Sequence, residues 1–585
     1  MTRARLGALL ALTIAALPLW VWLPSAIAQE DQSPFPRGVL VVLVPDISFE
    51  ELMAYPEMRA LAASGGAGVY NAPSDLERSL TGGFRSGVLP LPTGVLDERL
   101  TIVKQGFGPD PSPISELGEQ VRAKAEQFSV DELLVIVAGI SRSSEMRSEK
   151  DELLPIIVGR GNPSDLFASG SPGSLTSDST RRNGVVTQDD VVPTILRFHE
   201  GHVPGHPNPD ATNGSPIEFT GGPPPFELHE RYLAQRGMYV PIGTAGGIYL
   251  AIAGLGGIAA LALGSRVPIA VGRIFGWGCL SVAALATAFL AAGHLPDLSY
   301  ATVVPFVALV TVFGTLAFAP LERRDVLLIP AGIGIAVLTF FAVEATLVWA
   351  AALTPFVGGS ELDGGRFYGL PNVFIGLLIG ACLWIAQRLR TAAGFALLVV
   401  VAIFAGFPYL GANLGGGVSL FAAAGLWLAI RERERLGVWK GLGVFVGVTL
   451  LGTALILVAH AVSPFETHVT KFEEQAGGLG GVLEKVWDRL QVGFDLIARN
   501  PFALIPVLGL PIAIAAVLRP PAALRPSLER SPAWRDAILV TLLAGVVAYV
   551  VNDSGPAAAG FAFGLGLGGL LGVSLLSEAG KMGEP

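Results

Sequence analysis

Asp46 is the acidic residue best placed for chemistry in the first third of the chain. It follows an apolar run rich in β-branched residues, 38–44, and a proline, Pro45. Such a run predicts a strand buried on both faces, as in a parallel sheet. Because ligands of parallel α/β sheets bind at the carboxyl ends of the strands, Asp46 lies where we expect a site. Alternatively, Asp46 caps the helix predicted to begin at Phe49.

A second set of polar side chains lies between apolar segments in the later part of the chain. Residues 360–372 combine acidic, basic, phenolic and amide groups, namely Glu361, Asp363, Arg366, Tyr368 and Asn372. A further polar string, residues 408–417, contains Asn413. Together the two strings predict a site for a polar headgroup or a glycan; two ordinary ordered loops are the alternative.

Glu344 lies inside the apolar segment 326–350. An ionisable group in hydrocarbon costs free energy, so Glu344 is a functional candidate with Arg366 as its partner, or it reaches a water-filled cavity. Arg181 and Arg182 form a basic pair that suits a phosphate or a sugar acid; a solvated pair is the alternative.

Strands and helices alternate around Asp46. The apolar runs predict strands at 38–44, 132–138 and 154–158, and helical spacing predicts helices at 49–63, 114–127 and 189–198. This alternation predicts an α/β domain with a parallel sheet and right-handed crossovers. Asp189 and Asp190 are predicted to cap the last of these helices, where the helix dipole favours negative charge.

Three segments of this domain resemble the alkaline phosphatase superfamily: the strand with Pro45, Asp46 and the following helix, residues 79–83, and residues 179–196. The resemblance covers about residues 36–200. It implies an alkaline-phosphatase-like fold, Asp46 as a ligand of a divalent metal (Mn or Zn), and Thr81 as the nucleophile, with Ser79 and Ser86 as weaker matches. In such a site, metal ions activate the nucleophile and neutralise the phosphoryl oxygens.

Two ligand positions depart from that pattern. The strand at 132–138 continues into residues 139–144, which contain no Asp-His pair, and Ser179, Thr180 and Arg181 stand where a late histidine is expected. We therefore expect a degenerate, non-catalytic domain, a pseudoenzyme. A working metal-dependent phosphotransferase or phosphodiesterase is the alternative.

The rest of the chain is predicted to lie in a membrane. Only 15% of the 585 residues are charged and the mean hydropathy is +0.57. Apolar segments of roughly 20 residues, the length that spans a bilayer, predict an all-α bundle of about eleven helices. They lie at 238–263, 268–292, 299–320, 326–350, 368–387, 392–411, 415–430, 438–462, 501–518, 535–551 and 555–576.

Basic residues predict the topology. Arg3 and Arg5 precede an apolar stretch, so residues 1–28 read as a signal peptide or a signal anchor. Every second loop of the bundle carries arginines, which stay cytoplasmic. This places the α/β domain, residues 29–237, outside and the C-terminus of the membrane domain, 238–585, inside. The outer segment 463–499 contains an amphipathic stretch, 482–496, that suits the membrane surface.

Composition narrows the function. A net charge of −9 gives no reason to expect nucleic-acid binding. Cys279 and Cys382 lie in apolar runs and read as core residues. We expect a bacterial-type cell-envelope protein that acts on or binds lipid-linked or glycan substrates, or an anionic lipid headgroup. The alternatives are a transporter or flippase-like bundle, a metal-dependent enzyme, and an assembly scaffold.

Overall fold

The protein is described from a computed structural model. The structure describes residues 37–45, 47–71, 100–104, 117–140, 153–168, 170–177, 180, 184–199, 215–220, 225–347, 369–372, 374–408, 410–462, 491, 504–552 and 555–582. The described residues fall into two compact units, one up to Arg236 and one from Gly237 onward. The predicted signal segment 1–28 lies outside the described residues, as does nearly all of 463–499.

The described part of the first unit is built on one mixed sheet of eight strands. The strands are β1 (Arg37–Val44), β2 (Gly65–Asn71), β3 (Leu100–Lys104), β4 (Glu132–Gly139), β5 (Leu153–Gly161), β6 (Ser174–Thr176), β7 (Val185–Thr187) and β8 (Glu218–Thr220). Their order is β3-β1-β4-β5-β2-β6-β8, with β7 paired to β2.

The prediction of a parallel sheet is correct for only part of this sheet. Strand β1 runs parallel to β3 and β4, and β2 runs parallel to β6 and β7. Strand β5 is antiparallel to both β4 and β2, and β8 is antiparallel to β6. The hydrophobic runs indicate burial on both faces, which a strand in the middle of a mixed sheet also has, so they do not fix strand direction.

Strand β2 has no hydrophobic run, because three of its residues are glycines that neighbouring chain segments approach closely. A Cβ at Gly66 would lie 2.7 Å from a Leu175 methyl carbon, and one at Gly68 would lie 2.9 Å from the Gly184 carbonyl oxygen. Tyr70, the residue before the last of this strand, donates its hydroxyl to the Gly139 carbonyl oxygen. Burial raises the pKa of Tyr70, so the phenol stays protonated as a donor.

Among the described residues, four α-helices flank the sheet: α1 (Phe49–Ala54), α2 (Pro56–Ala63), α3 (Leu117–Ala125) and α4 (Val191–His199). The single helix predicted over 49–63 is two helices. The break falls at Tyr55, which is extended (φ −76°, ψ 126°), since a residue before proline disfavours the helical conformation. Helix α4 packs over the sheet with Val192 and Ile195 in a core that includes Val41 and Ile136.

The second unit is helical in its described part. Its helices are α5 (Pro225–Leu263, which begins before the boundary), α6 (Ile269–Leu280), α7 (Val282–Ala292), α8 (Tyr300–Leu316), α9 (Ala319–Glu322), α10 (Leu328–Leu347), α11 (Phe374–Ala386), α12 (Thr391–Gly406), α13 (Leu414–Arg431), α14 (Arg433–Ala461), α15 (Leu504–Leu518), α16 (Arg525–Arg530), α17 (Pro532–Val551) and α18 (Gly555–Met582). Each predicted apolar segment overlaps a helix of this set.

Six helices of the described residues are long and apolar enough to cross a membrane, and α6 with α7 make a seventh if that pair, bent by 48°, is one span. The prediction of about eleven spans is therefore not confirmed. Four apolar helices are shorter, such as α11 with 13 residues. At 1.5 Å per residue such a helix reaches only about 20 Å. Every residue of α11 is buried, so this helix packs inside the unit.

Cys279 and Cys382 are free, buried thiols of the same interior, as predicted.

Candidate functional site

Most of the predicted site residues lie outside the described residues. This group comprises Asp46, Ser79, Thr81, Ser86, Arg181, Arg182, Glu361, Asp363, Arg366 and Tyr368. Asn372 and Asn413 are described in full. Glu344 is described only as a position in the last turn of α10, so its pairing with Arg366 stays a prediction.

The ends of the two predicted polar strings meet at one end of the helical unit. The Leu370 amide donates to the Gly411 carbonyl oxygen at 2.7 Å. The side-chain amide of Asn413 donates in turn to the Leu370 carbonyl oxygen at 2.7 Å. We call residues 369–372 and 411–413 the polar mouth. The structure thus brings together loops that are about 40 residues apart in sequence.

Tight backbone conformations hold these two loops against each other. Gly369 has a positive φ of 84°, and a Cβ there would lie 2.5 Å from the Gly411 carbonyl oxygen. Ala412 has a positive φ of 45°, which costs an alanine free energy. Only glycine suits position 369, because both its conformation and its contact exclude a side chain.

Asn413 positions this mouth instead of offering a free ligand group. Its side chain is 1% exposed, and its carbonyl oxygen accepts from the Gly416 amide at 2.7 Å, which caps helix α13. Since its side-chain amide is bonded to Leu370, both polar ends are used within the protein. By contrast, Asn372 is half-buried in the turn before α11, and its side chain makes no hydrogen bond to the described residues.

Two buried polar residues, Asn552 and His460, lie beside the mouth, and the sequence alone assigns neither of them a role in a site. Asn552 is 3% exposed, donates to the Ser419 hydroxyl at 3.2 Å, and has a carbonyl oxygen with no hydrogen-bond donor among the described residues. His460 is 1% exposed, and its Nε2 lies 2.9 Å from the Gly406 carbonyl oxygen. The available signal was a polar residue at the end of an apolar segment.

In the first unit, the parallel strands bring their carboxyl ends to one edge of the sheet. Val44 at the end of β1 pairs with Gly139 at the end of β4. Ser48 caps α1, its hydroxyl accepting from the Glu51 amide at 3.1 Å while the Glu51 carboxylate accepts from the Ser48 amide at 2.7 Å. The cap that we considered for Asp46 therefore belongs to Ser48. No group of three or more His, Cys, Asp or Glu residues suited to a metal occurs among the described residues.

Asp190, which is predicted to cap α4, instead completes a capping box with Thr187 at the 3-10 turn 188–190 that leads into this helix. Its carboxylate is fully buried and accepts from the Thr187 amide at 2.7 Å, the Ser177 hydroxyl at 2.7 Å and the Ser215 amide at 3.0 Å. Three donors satisfy this charge, as a buried carboxylate requires. Asp190 thereby fixes strand β7 and the segment before β8 to the helix.

Comparison with known proteins identifies no relative: no family model, no curated protein and no solved structure matches this chain. The resemblance to the alkaline phosphatase superfamily therefore stays a prediction.

Proposed function

We propose that this chain is a multi-pass cell-envelope protein that binds the polar headgroup of a lipid-linked or glycan substrate at the polar mouth. The observation that carries the proposal is the junction of residues 369–372 with residues 411–413. Backbone that is not helical is costly in a bilayer unless it is buried in protein or lines a polar site. Here both loops are held in fixed, partly strained conformations at the ends of apolar helices. Of the polar groups at this junction, the half-buried Asn372 side chain is not used in the described hydrogen bonds, and its amide suits the hydroxyl and phosphate groups of a headgroup.

The orientation supports an outer-surface substrate. Arg388, Arg390 and Arg431 lie at the other ends of helices α11, α12 and α13, and basic residues favour the cytoplasmic side. On this charge pattern, the polar mouth faces outward. In this proposal, the α/β unit is a degenerate alkaline-phosphatase-like domain that binds without catalysis.

Binding of a defined probe tests this function. The full chain, purified in detergent, is titrated with a polyprenyl-pyrophosphate-linked disaccharide, and with polyprenyl phosphate as the headgroup-poor comparison. We expect Asn372→Ala to weaken binding of the disaccharide lipid about tenfold, the loss of about 1.4 kcal/mol. Lys440→Ala, at the opposite end of the unit, is the matched control and leaves binding unchanged. Equal binding of both lipids, or no effect of Asn372→Ala, contradicts the proposal.

Transport is the second candidate function, and Glu344 favours it. This residue is the only charged residue in the otherwise apolar helix α10. Ionisable groups within membrane helices line substrate or proton pathways more often than they serve stability. If the helical unit transports a polar substrate, we expect proteoliposomes with the Glu344→Gln variant to take up none of this substrate, although the variant still folds. Uptake that is equal for wild type and Glu344→Gln argues against this function.

A further inference from the structure

A groove of about 640 Å³ lies at the end of the helical unit opposite the polar mouth. Helices α13, α14, α15 and α17 line it. Its wall is apolar and includes Leu426, Ile430, Leu442, Phe445, Leu518 and Leu539. Four charged residues also line it, namely Arg433, Glu434, Arg535 and Asp536. The groove therefore combines an apolar wall with charges of both signs.

Asp536 is neutralised within the protein. It is 4% exposed, and its carboxylate lies 2.9 Å from the Arg433 guanidinium and 3.2 Å from that of Arg431. Such a buried carboxylate with two arginines is satisfied and anchors α13 and α14 to α17. The Arg433 side chain is 53% exposed, so it also remains accessible to a ligand.

Arg535 and Glu434 have no partner of opposite charge among the described residues. Arg535 donates through Nε and Nη2 to the carbonyl oxygens of Val517 and Leu518, both at 3.2 Å, at the end of α15. Glu434 is exposed in the first turn of α14. The groove thus offers one guanidinium and one carboxylate whose charges the described protein does not compensate.

The shape of α14 places the groove at a membrane interface. Gly437 has non-helical angles (φ 65°, ψ 179°), which separate the charged residues 433–435 from the largely apolar remainder of the helix. Directly after this bend, Val438 and Trp439 are 82% and 83% exposed. Exposed tryptophan beside arginine is typical of the boundary between headgroups and hydrocarbon. A ligand of the groove therefore has one end at headgroup level and the other in the hydrocarbon.

We propose that the groove binds one phospholipid with a zwitterionic headgroup that carries a primary amine. Its phosphate binds Arg535 and Arg433, its ammonium group donates to Glu434, and an acyl chain lies on the apolar wall. Arginine is the preferred partner of phosphate, and basic pockets between membrane helices bind lipid headgroups. A quaternary ammonium headgroup has no N–H and cannot donate a hydrogen bond to Glu434. An anionic headgroup without an amine would repel the Glu434 carboxylate.

Native mass spectrometry of the delipidated full chain in detergent tests the site. The probes are phosphatidylethanolamine, phosphatidylcholine and phosphatidylglycerol with identical acyl chains. We expect one phosphatidylethanolamine per chain, bound about tenfold more tightly than either other lipid, since a charge-assisted hydrogen bond contributes about 1.5 kcal/mol. Glu434→Gln removes this preference. Glu529→Gln, whose side chain is 67% exposed and lies outside the groove, retains it.

A filling variant tests the apolar wall separately. A Cβ at Gly441 would meet only Ala429, at 3.7 Å, so Gly441→Leu enters the groove without a backbone clash and weakens binding of all three lipids. Gly443→Leu on the same helix is the matched control, because nothing lies within 4 Å of its Cβ position, and it binds as wild type does. Equal binding of the three lipids by wild type, a preference for phosphatidylglycerol, or an unchanged preference in Glu434→Gln overturns the proposal.

Discussion

At the scale of single residues, buried polar groups show how far a sequence pattern specifies a role. Asp190 is predicted to cap α4, and its carboxylate does satisfy a free amide, but that amide belongs to Thr187 at the start of the 3-10 turn before the helix. Asn413 was predicted as a ligand group, yet it is also a cap. An asparagine just before a predicted helix is compatible with both roles, because asparagine is common both as a helix cap and as a ligand group. The hydrogen bond from its side-chain amide to Leu370 decides between them, since it leaves no polar group of Asn413 for a ligand.

The metal content of the protein tests the residues on which the superfamily resemblance depends. We expect the purified full chain to contain no stoichiometric Mn or Zn and to leave bis-p-nitrophenyl phosphate intact, because the Asp-His pair and the late histidine of active members are missing from the sequence. Elemental analysis before and after Asp46→Ala makes the measurement. Stoichiometric metal that disappears in Asp46→Ala would instead support the enzyme interpretation, with Thr81→Ala then abolishing the activity.

At the scale of elements, hydrophobic periodicity predicted the strands that are buried on both faces and the helices with an apolar face. Strands β1, β4 and β5 begin and end within a few residues of their predicted bounds. Strand β2 could not be predicted, because its glycines reflect contacts with Leu175 and Gly184 that are distant in sequence. The antiparallel direction of β5 could not be predicted from the sequence either, since a strand buried between two others is apolar whichever way it runs.

The contribution of Asn413 to the stability of the polar mouth can be measured. Asn413→Ala removes the cap of α13 and leaves the buried Leu370 carbonyl oxygen without its donor, so we expect a destabilisation of about 2 kcal/mol. Thermal unfolding of the purified full chain in detergent measures it. Asn413→Ser retains a capping hydroxyl, so we expect it to lower the free energy of unfolding about half as much as Asn413→Ala does. Asn372→Ala, which breaks no described hydrogen bond, stays within about 0.5 kcal/mol of wild type. Equal stability of Asn413→Ala and Asn372→Ala would show that the loops are held by other contacts.

At the scale of the whole molecule, the division into a charged part and an apolar helical part is evident from composition, whereas the number of helices long enough to span a membrane is not. A run of about 20 apolar residues looks the same in sequence whether it crosses lipid or packs inside a bundle. The short, fully buried α11 and the bent pair α6 and α7 show the difference. Burial inside the unit also explains the density of glycine, because helices that pack closely need small residues. A Cβ at Gly376, for example, would lie 2.1 Å from the Ala558 carbonyl oxygen.

Labelling of single cysteines in intact cells tests the orientation on which both proposed sites depend. The two native cysteines are buried, so their background labelling is low. Arg122 in the first unit is 54% exposed, and Arg435 at the basic end of α14 is 84% exposed. A membrane-impermeant maleimide is expected to label Arg122→Cys in intact cells, and to label Arg435→Cys only after the membrane is permeabilised. Labelling of Arg435→Cys from the medium, with Arg122→Cys protected, would contradict the orientation.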